Sequence, residues 1–215
     1  MINNKYKYIY TKVGKAGSST IEKMLVRTSS LYDVKHIDHY HLLDDINKKT
    51  KDYFKFTFVR NPWDRAVSRF HYIQQKIQPR TKNYRHATFE EYILSKGAPY
   101  ALDDERKFLL DYKWAKNSPN LQRIYQEMHP FENQLDWISD EQGNILTDFI
   151  GKLENLEEDY AFVCNKLKME QSPILHNNKS KHKHYTKYYT SDAMIESVAE
   201  KHAKDIEYFK YKFEK

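Results

Sequence analysis

Glycine, proline and cysteine are scarce in this sequence of 215 residues, which contains five glycines, six prolines and one cysteine. So few glycines and prolines exclude a collagen-like chain or a flexible linker. The single cysteine, Cys164, excludes an internal disulfide framework, and its apolar context YAFVC predicts a buried, unreactive thiol. The length fits one domain, or one domain with an insertion.

Long apolar runs are also missing. No stretch approaches the roughly 18 residues that a membrane-spanning helix needs, and the first ten residues, MINNKYKYIY, lack the apolar core of a signal peptide. We therefore expect a soluble, cytoplasmic protein. The 40% of hydrophobic residues is enough for a core of ordinary size, and the net charge of +6 fits an anionic ligand or partner.

Alternating strand and helix patterns predict the α/β class, with a central parallel sheet flanked by helices. In the first part of the chain the predicted strands are 6–11, 33–37 and 53–59, and the predicted helices are 19–29, 41–49 and 62–75. Later segments are a capping-box helix that begins at Thr88, a strand at 147–152, a helix at 155–167 and a last helix at 192–213. The apolar stripe of that last helix contains Ile195, Ala199, His202, Ile206, Phe209 and Phe213. No domain boundary is visible, so residues 1–215 are predicted to form a single domain.

Two of the five glycines, Gly14 and Gly17, flank Lys15 in the segment VGKAGSST, between a predicted strand and a predicted helix. Glycine tolerates positive φ and the close approach of a ligand. A strand-to-helix turn aims backbone N–H groups and the positive end of the helix dipole at one spot. With the Lys15 cation and nearby hydroxyl groups, this segment suits a phosphate. It is not a Walker A loop, because Gly-Lys-Ser/Thr is absent. The alternative is a polar helix cap with an exposed lysine.

A second segment, FTFVRNPWDRAVS, places Arg60 at the end of a predicted strand. Open α/β sheets bind ligands at that edge, and the arginine fork suits phosphate oxygens. Asn61 and Pro62 are typical of a helix start. That helix would bring Ser68 close enough to share an anion with Arg60. The alternatives are a surface salt bridge for Arg60 and a helix-face hydroxyl for Ser68.

Four segments, in this order along the chain, resemble those of the 3′-phosphoadenosine 5′-phosphosulfate (PAPS)-dependent sulfotransferases. The similar group is family 2, which includes Golgi carbohydrate sulfotransferases and bacterial and viral relatives. The segments are VGKAGSST, FKFTFVRNPWDRAVSRF, DFIGKLENLEEDY, and NNKSKHKHYTKYYTSD followed by DIEYFKY. The first resembles the 5′-phosphosulfate loop, and the second, the most specific match, resembles the 3′-phosphate segment. Gly14 departs from the pattern, since relatives often carry proline there.

The resemblance implies a P-loop-like three-layer fold and an enzyme that moves a sulfuryl group from PAPS to a hydroxyl, leaving adenosine 3′,5′-bisphosphate (PAP). Lys15 would contact the phosphosulfate and stabilise the leaving phosphate. Arg60 and Ser68 would bind the 3′-phosphate. The remaining implied donor-binding residues are Ala16, Gly17, Ser18, Ser19 and Thr20 in the first loop, and Lys179, Ser180 and Lys181 in a loop at 170–190 that would cover the nucleotide. The family's chemistry does not imply a metal.

Sulfuryl transfer to an alcohol also needs a base, and histidine titrates in the right pH range. The segment KHIDHYH ends the second predicted strand. His36, at the strand end, matches the family pattern best; His39 is the second choice and His41 the third. The spacing of these three histidines does not match that of a recognised zinc site. The alternative is a set of surface or core histidines.

The acceptor site is assigned to residues 76–140, where a helical insertion is predicted. A saccharide hydroxyl is expected by family analogy alone. The basic residues Arg80, Lys82 and Arg85 would suit an anionic glycan, or form a solvated loop. Tyr100, Trp114 and Trp137 could stack on sugar rings, or fill the core. A competing hypothesis is a non-enzymatic basic module that binds nucleic acid or another polyanion, which the pI near 9.0 suggests; no nucleic-acid-binding motif supports it. A third hypothesis, a P-loop kinase, conflicts with the lysine placement.

Overall fold

The computed structural model describes residues 1–29, 33–35, 46, 48–72, 74, 88–94, 133–174 and 183–214. Contacts between them define two compact units. The first unit contains the described residues of 1–60 and 134–174. The second contains those of 61–94, residue 133 and 183–214. The single-domain boundaries stay a prediction.

The described residues of the first unit form a five-stranded sheet in the order β3-β1-β2-β4-β5. The strands are β1 (Ile2–Asn3), β2 (Tyr8–Thr11), β3 (Val34–Lys35), β4 (Phe54–Val59) and β5 (Phe149–Lys152). The three longer strands pair in parallel, with Thr11 opposite Thr57 and Val59 opposite Lys152. The predicted α/β class with a mostly parallel sheet is therefore confirmed.

The sheet differs from the prediction at its β3 edge. β1 was not predicted, and it forms an antiparallel hairpin with β2 across a turn at residues 4–7. β3 then pairs antiparallel with β1, so the expectation that this strand extends the parallel sheet is wrong. The reason is that the hairpin occupies the place beside β2 that a parallel strand would need. The predicted helix at 41–49 lies largely outside the described residues.

Two helices cover one face of the sheet. They are α1 (Ser18–Thr28) and α4 (Leu156–Leu167). Because side chains alternate along a strand, Tyr8 and Tyr10 of β2 point to this face, and Tyr10 stacks on Phe56 with ring centroids 5.2 Å apart. A core cluster of this unit contains Tyr8, Tyr10, Ile21, Met24, Leu25, Phe56, Phe58, Tyr160, Val163 and Cys164.

The second unit contains α2 (Pro62–Tyr72), α3 (Phe89–Leu94), α5 (Asp192–Lys201) and α6 (Ala203–Phe209). The predicted caps of its first two helices are confirmed. Asn61 Oδ1 accepts the Trp63 N–H at 3.0 Å, directly before Pro62. Thr88 and Glu91 exchange side-chain to backbone hydrogen bonds of 3.1 Å, as a capping box requires.

The predicted last helix is broken. His202, with φ −112° and ψ 25°, leaves the helical region and separates α5 from α6. The buried stripe consists of Met194, Val198, His202, Asp205 and Phe209, whereas Ile195 and Ile206 are only partly buried. The amino-acid pattern could not mark the break because the stripe continues across it. No helix in the described part of the chain is both long and apolar enough to cross a membrane.

The loop predicted at 170–190 ends in a packed aromatic turn. Residues Tyr185–Tyr188 form a 3-10 turn, and the Tyr189 hydroxyl donates to the Trp63 carbonyl at 2.9 Å. Tyr185 and Tyr189 are buried, and both contact the Phe213 ring. The expectation of a polar loop is therefore wrong for residues 185–189, where aromatic packing outweighs the surrounding lysines.

Candidate functional site

The segment between β2 and α1 is a tight turn with buried ends. Val13 and Ala16 are each 1% exposed, which anchors the turn to the core. Lys15 and Gly17 take the left-handed conformation, with φ of 64° and 75°. The glycine prediction holds for Gly17. Gly14 does not have the positive φ expected for it; the neighbouring Lys15 has one instead. A lysine in this conformation is strained by about 1–2 kcal/mol, a cost often found at functional sites.

Gly17 begins α1. Its carbonyl accepts the N–H groups of Thr20 and Ile21 at 2.9 and 3.1 Å. Glycine has no side chain that could cap the first turn, and no acidic residue lies in that turn. The N–H groups of Ser18 and Ser19 precede the first bonded turn, where helix N–H groups lack an intrahelical partner. This arrangement suits an anion at the helix N-terminus.

A second feature requires glycine at position 17. A Cβ there would lie 2.5 Å from Cδ1 of Leu153, in the 3-10 turn Leu153–Asn155 that follows β5. The turn after β5 therefore packs directly against the turn after β2. A residue with a Cβ would be strained at this position by the positive φ, and it would also require the Leu153 side chain to shift.

Arg60 follows β4 at the same edge of the sheet. Its Nη1 donates to the Lys15 carbonyl at 3.4 Å, so the guanidinium lies beside the turn. The structure thus brings Arg60 and the turn together, as the sequence predicted. Its backbone is held by Gln134, which is fully buried: the Arg60 N–H donates to Gln134 Oε1, and Gln134 Nε2 donates to the Arg60 carbonyl, both at 2.8 Å.

Gln134 was missed by the sequence reasoning. It stands in a polar stretch before the 3-10 turn Leu135–Trp137, with no motif around it. Its role is indicated by the pair of hydrogen bonds to Arg60, a residue 74 positions away in the sequence. Such a contact leaves no local pattern in the sequence.

Ser68 lies on α2, in the second unit, and is partly buried. Arg60 belongs to the first unit, so the shared anion of these two residues stays a prediction. His36, His39, His41 and the loop residues Lys179, Ser180 and Lys181 lie outside the described residues. The chain reaches His36 directly after β3, which ends at Lys35.

Two expectations about side chains are confirmed. Cys164 is 1% exposed, and burial raises the pKa of its thiol, so a thiolate nucleophile is disfavoured. Trp137 is 2% exposed and therefore fills the core, which leaves no ring face for a sugar. Of the other aromatic candidates, Tyr100 and Trp114 lie outside the described residues.

The first unit thus has a mostly parallel sheet flanked by helices, and the turn between β2 and α1 at its carboxyl edge suits an anion. The chain belongs to the sulfotransferase family, whose model matches residues 1–212. It is 27% identical to carbohydrate sulfotransferase 9 of Homo sapiens over 202 residues, which are 84% of this chain and 43% of that protein. Carbohydrate sulfotransferase 8 of Homo sapiens is 24% identical over 84% of this chain and 45% of its own length.

An uncharacterized protein of Archaeoglobus fulgidus is 28% identical over 66% of this chain and 91% of its own length. Of the two human relatives, by contrast, the chain spans less than half the length. No solved structure matches significantly.

Proposed function

We propose that this chain is a PAPS-dependent sulfotransferase that sulfates a saccharide hydroxyl. One observation carries the proposal: in a member of the sulfotransferase family, an uncapped helix start, the Lys15 backbone and the Arg60 guanidinium lie together at the carboxyl edge of the parallel strands. Cations and free N–H groups at this edge suit a donor with several anionic groups.

The proposed donor loop consists of residues 15–20. The N–H groups of the first turn of α1 and the hydroxyls of Ser18, Ser19 and Thr20 would bind the 5′-phosphosulfate. Lys15, shortly before the first turn of α1, has a strained left-handed backbone conformation. We infer that it aims the ammonium group at the phosphosulfate, consistent with strain stored at functional sites.

The proposed 3′-phosphate site consists of Arg60 and Ser68. A guanidinium fork binds two phosphate oxygens at once. This second anion site distinguishes PAPS from ATP, which has no 3′-phosphate. In the proposal, Lys179, Ser180 and Lys181 cover the nucleotide.

PAPS supplies a sulfuryl group whose S–O bond to the 5′-phosphate breaks as the acceptor oxygen bonds to sulfur. His36 takes the proton of the acceptor hydroxyl, with His39 as the second choice. Lys15 stabilises the negative charge that develops on the leaving phosphate oxygen. Such transfers depend mainly on positioning and electrostatics.

The proposed acceptor is a saccharide. Both human relatives are named carbohydrate sulfotransferases, which favours a saccharide over a phenol or a peptide. Residues 76–140 are the proposed acceptor region, and within it Arg80, Lys82 and Arg85 favour an anionic glycan.

The first test measures thermal stabilisation by PAP. A ligand at 100 times its dissociation constant adds about 2.7 kcal/mol to the free energy of unfolding, and we expect such a shift with PAP but not with ATP and magnesium. A shift only with ATP, or only with heparin or DNA, would contradict the donor assignment. Transfer of labelled sulfate from PAPS to glycans, phenols and tyrosyl peptides then identifies the acceptor class.

The same transfer assay tests the catalytic residues. Lys15→Ala is expected to abolish transfer without changing the melting temperature of the apoprotein, because its amine acts on transition-state charge. His36→Ala should be inactive and His39→Ala active. The reverse result would make His39 the base, and full activity of Lys15→Ala would remove Lys15 from the mechanism.

A further inference from the structure

Lys12 lies one residue beyond β2 and has no part in the proposed chemistry. Its side chain is only 8% exposed, and its Nζ lies 2.6 Å from Oε2 of Glu22 on α1. Strand alternation explains the direction: Lys12 continues the series Tyr8, Tyr10, whose side chains point toward α1. The ion pair therefore joins the two ends of the turn that contains Lys15 and Gly17.

The surroundings of this pair are apolar and aromatic. Tyr10 is 1% exposed, and its pKa is raised well above the ordinary value, first by burial and second by the negative charge of Glu22. The Glu22 carboxylate thus lies close to the core, with a quarter of its side chain exposed. A charge in such a place is costly unless it is paired. Removing either partner leaves the other charge beside the turn.

We propose that Lys12 and Glu22 are positioning residues, whose ion pair holds the proposed donor loop in its binding conformation and neutralises Glu22 beside an anion site. The inference rests on the proposed function. It separates the roles of the two lysines: the Lys15 ammonium acts on the donor, whereas the Lys12 ammonium is engaged by Glu22. A direct role of Lys12 in donor binding is the competing interpretation.

The two interpretations predict opposite effects of removing the carboxylate. If the pair positions the loop, Glu22→Gln removes the ion pair between the two ends of the turn, and donor binding weakens. If Lys12 is a donor ligand that Glu22 restrains, Glu22→Gln frees the ammonium, and binding is retained or improves. Lys12→Met is expected to weaken binding in both cases, because the Glu22 carboxylate then loses the positive charge of Lys12 and repels the phosphosulfate more strongly.

The experiment measures the dissociation constant of PAP for the full chain by calorimetry, with apoprotein melting temperatures measured alongside. We expect Lys12→Met and Glu22→Gln to weaken PAP binding about tenfold, the loss that corresponds to one hydrogen bond between charged groups. Lys12→Arg should bind within about threefold of wild type, because arginine keeps a positive charge that can pair with Glu22. The doubly reversed variant Lys12→Glu/Glu22→Lys should recover most of the loss.

Lys23→Met is the matched control, because Lys23 is exposed on the same helix and its removal changes the net charge equally. It should leave PAP binding unchanged. Glu22→Gln with wild-type or tighter PAP binding would overturn the inference. If either single variant fails to fold, the reversed pair and Lys12→Arg decide: loss of PAP binding in both would also overturn it. A wild-type chain that binds no PAP would instead refute the proposed function.

Discussion

At the scale of single residues, Gly17 has two separate reasons to be glycine. Its φ of 75° is one that side chains with a Cβ rarely adopt, and a Cβ would lie 2.5 Å from Leu153. Gly143 has a similar φ of 83° but no atom within 4 Å of such a Cβ. Gly143 therefore lacks the close approach found at Gly17.

We predict that Gly17→Ala lowers the free energy of unfolding more than Gly143→Ala does. Both lose about 1 kcal/mol to backbone strain, and Gly17→Ala adds about 1–3 kcal/mol from overpacking against Leu153. Urea unfolding of both variants measures the difference. Equal losses would contradict the close approach, and Leu153→Ala in the Gly17→Ala background should recover part of the additional loss.

At the scale of elements, hydrogen bonds to polar side chains fix several ends of strands and turns. Residues 139–145 form a small hairpin, with Ser139 bridged to Ile145. Asp140 accepts the backbone N–H groups of Gln142 and Asn144 at 3.0 and 2.8 Å, and the Asn144 side-chain amide at 2.8 Å. These bonds, led by the Asn144 side chain, lower the pKa of Asp140 below its ordinary value.

This turn yields a prediction about pH. A carboxyl whose pKa is lowered on folding stabilises the protein above its unfolded pKa, which is about 3.9 for Asp. That contribution disappears as the pH falls through the lower, folded pKa. Asp140→Ala should therefore melt below wild type at pH 7, and the two melting temperatures should converge below about pH 4. A difference that is constant with pH would show that the carboxylate charge contributes nothing.

A polar side chain also holds the end of β4, next to the proposed donor loop. Gln134 pairs with both backbone groups of Arg60, which continues the hydrogen bonding of the strand by one residue. These bonds fix the backbone position from which the Arg60 side chain reaches the Lys15 carbonyl. The backbone of Arg60 is thus held by a side chain that is far away in the sequence.

At the scale of the whole molecule, the net charge of +6 makes an ordinary charge effect the first alternative to specific anion binding. We predict that Arg60→Ala weakens PAP binding about tenfold or more, because a charged hydrogen bond is worth about 1.5–3 kcal/mol. Arg27→Ala, which removes an exposed arginine from the end of α1, lowers the net charge equally. It should leave the PAP dissociation constant unchanged, as calorimetry can check. Equal losses in both variants would indicate general electrostatics.

Features that depend on residues close together in the sequence could be predicted from it. The strands that lead into Lys15 and Arg60, the capping box at Thr88 and the helix start at Asn61 all depend on residues within a few positions of one another. Periodicity and capping are local, so the amino-acid pattern contains them. The antiparallel pairing of β3 and the break at His202 were not predictable, because each depends on neighbours that the local pattern does not specify.

The sequence by itself determined the family, the α/β class and the residues of the turn from Val13 to Thr20. Only the tertiary structure decided how that turn is held: Leu153 against Gly17, Glu22 paired with Lys12, and Gln134 bonded to Arg60. It also showed that Lys15, rather than Gly14, has the left-handed conformation. The physical reason is that these contacts join side chains from separate elements. Their partners are set by packing of the sheet and its helices, which no single segment encodes.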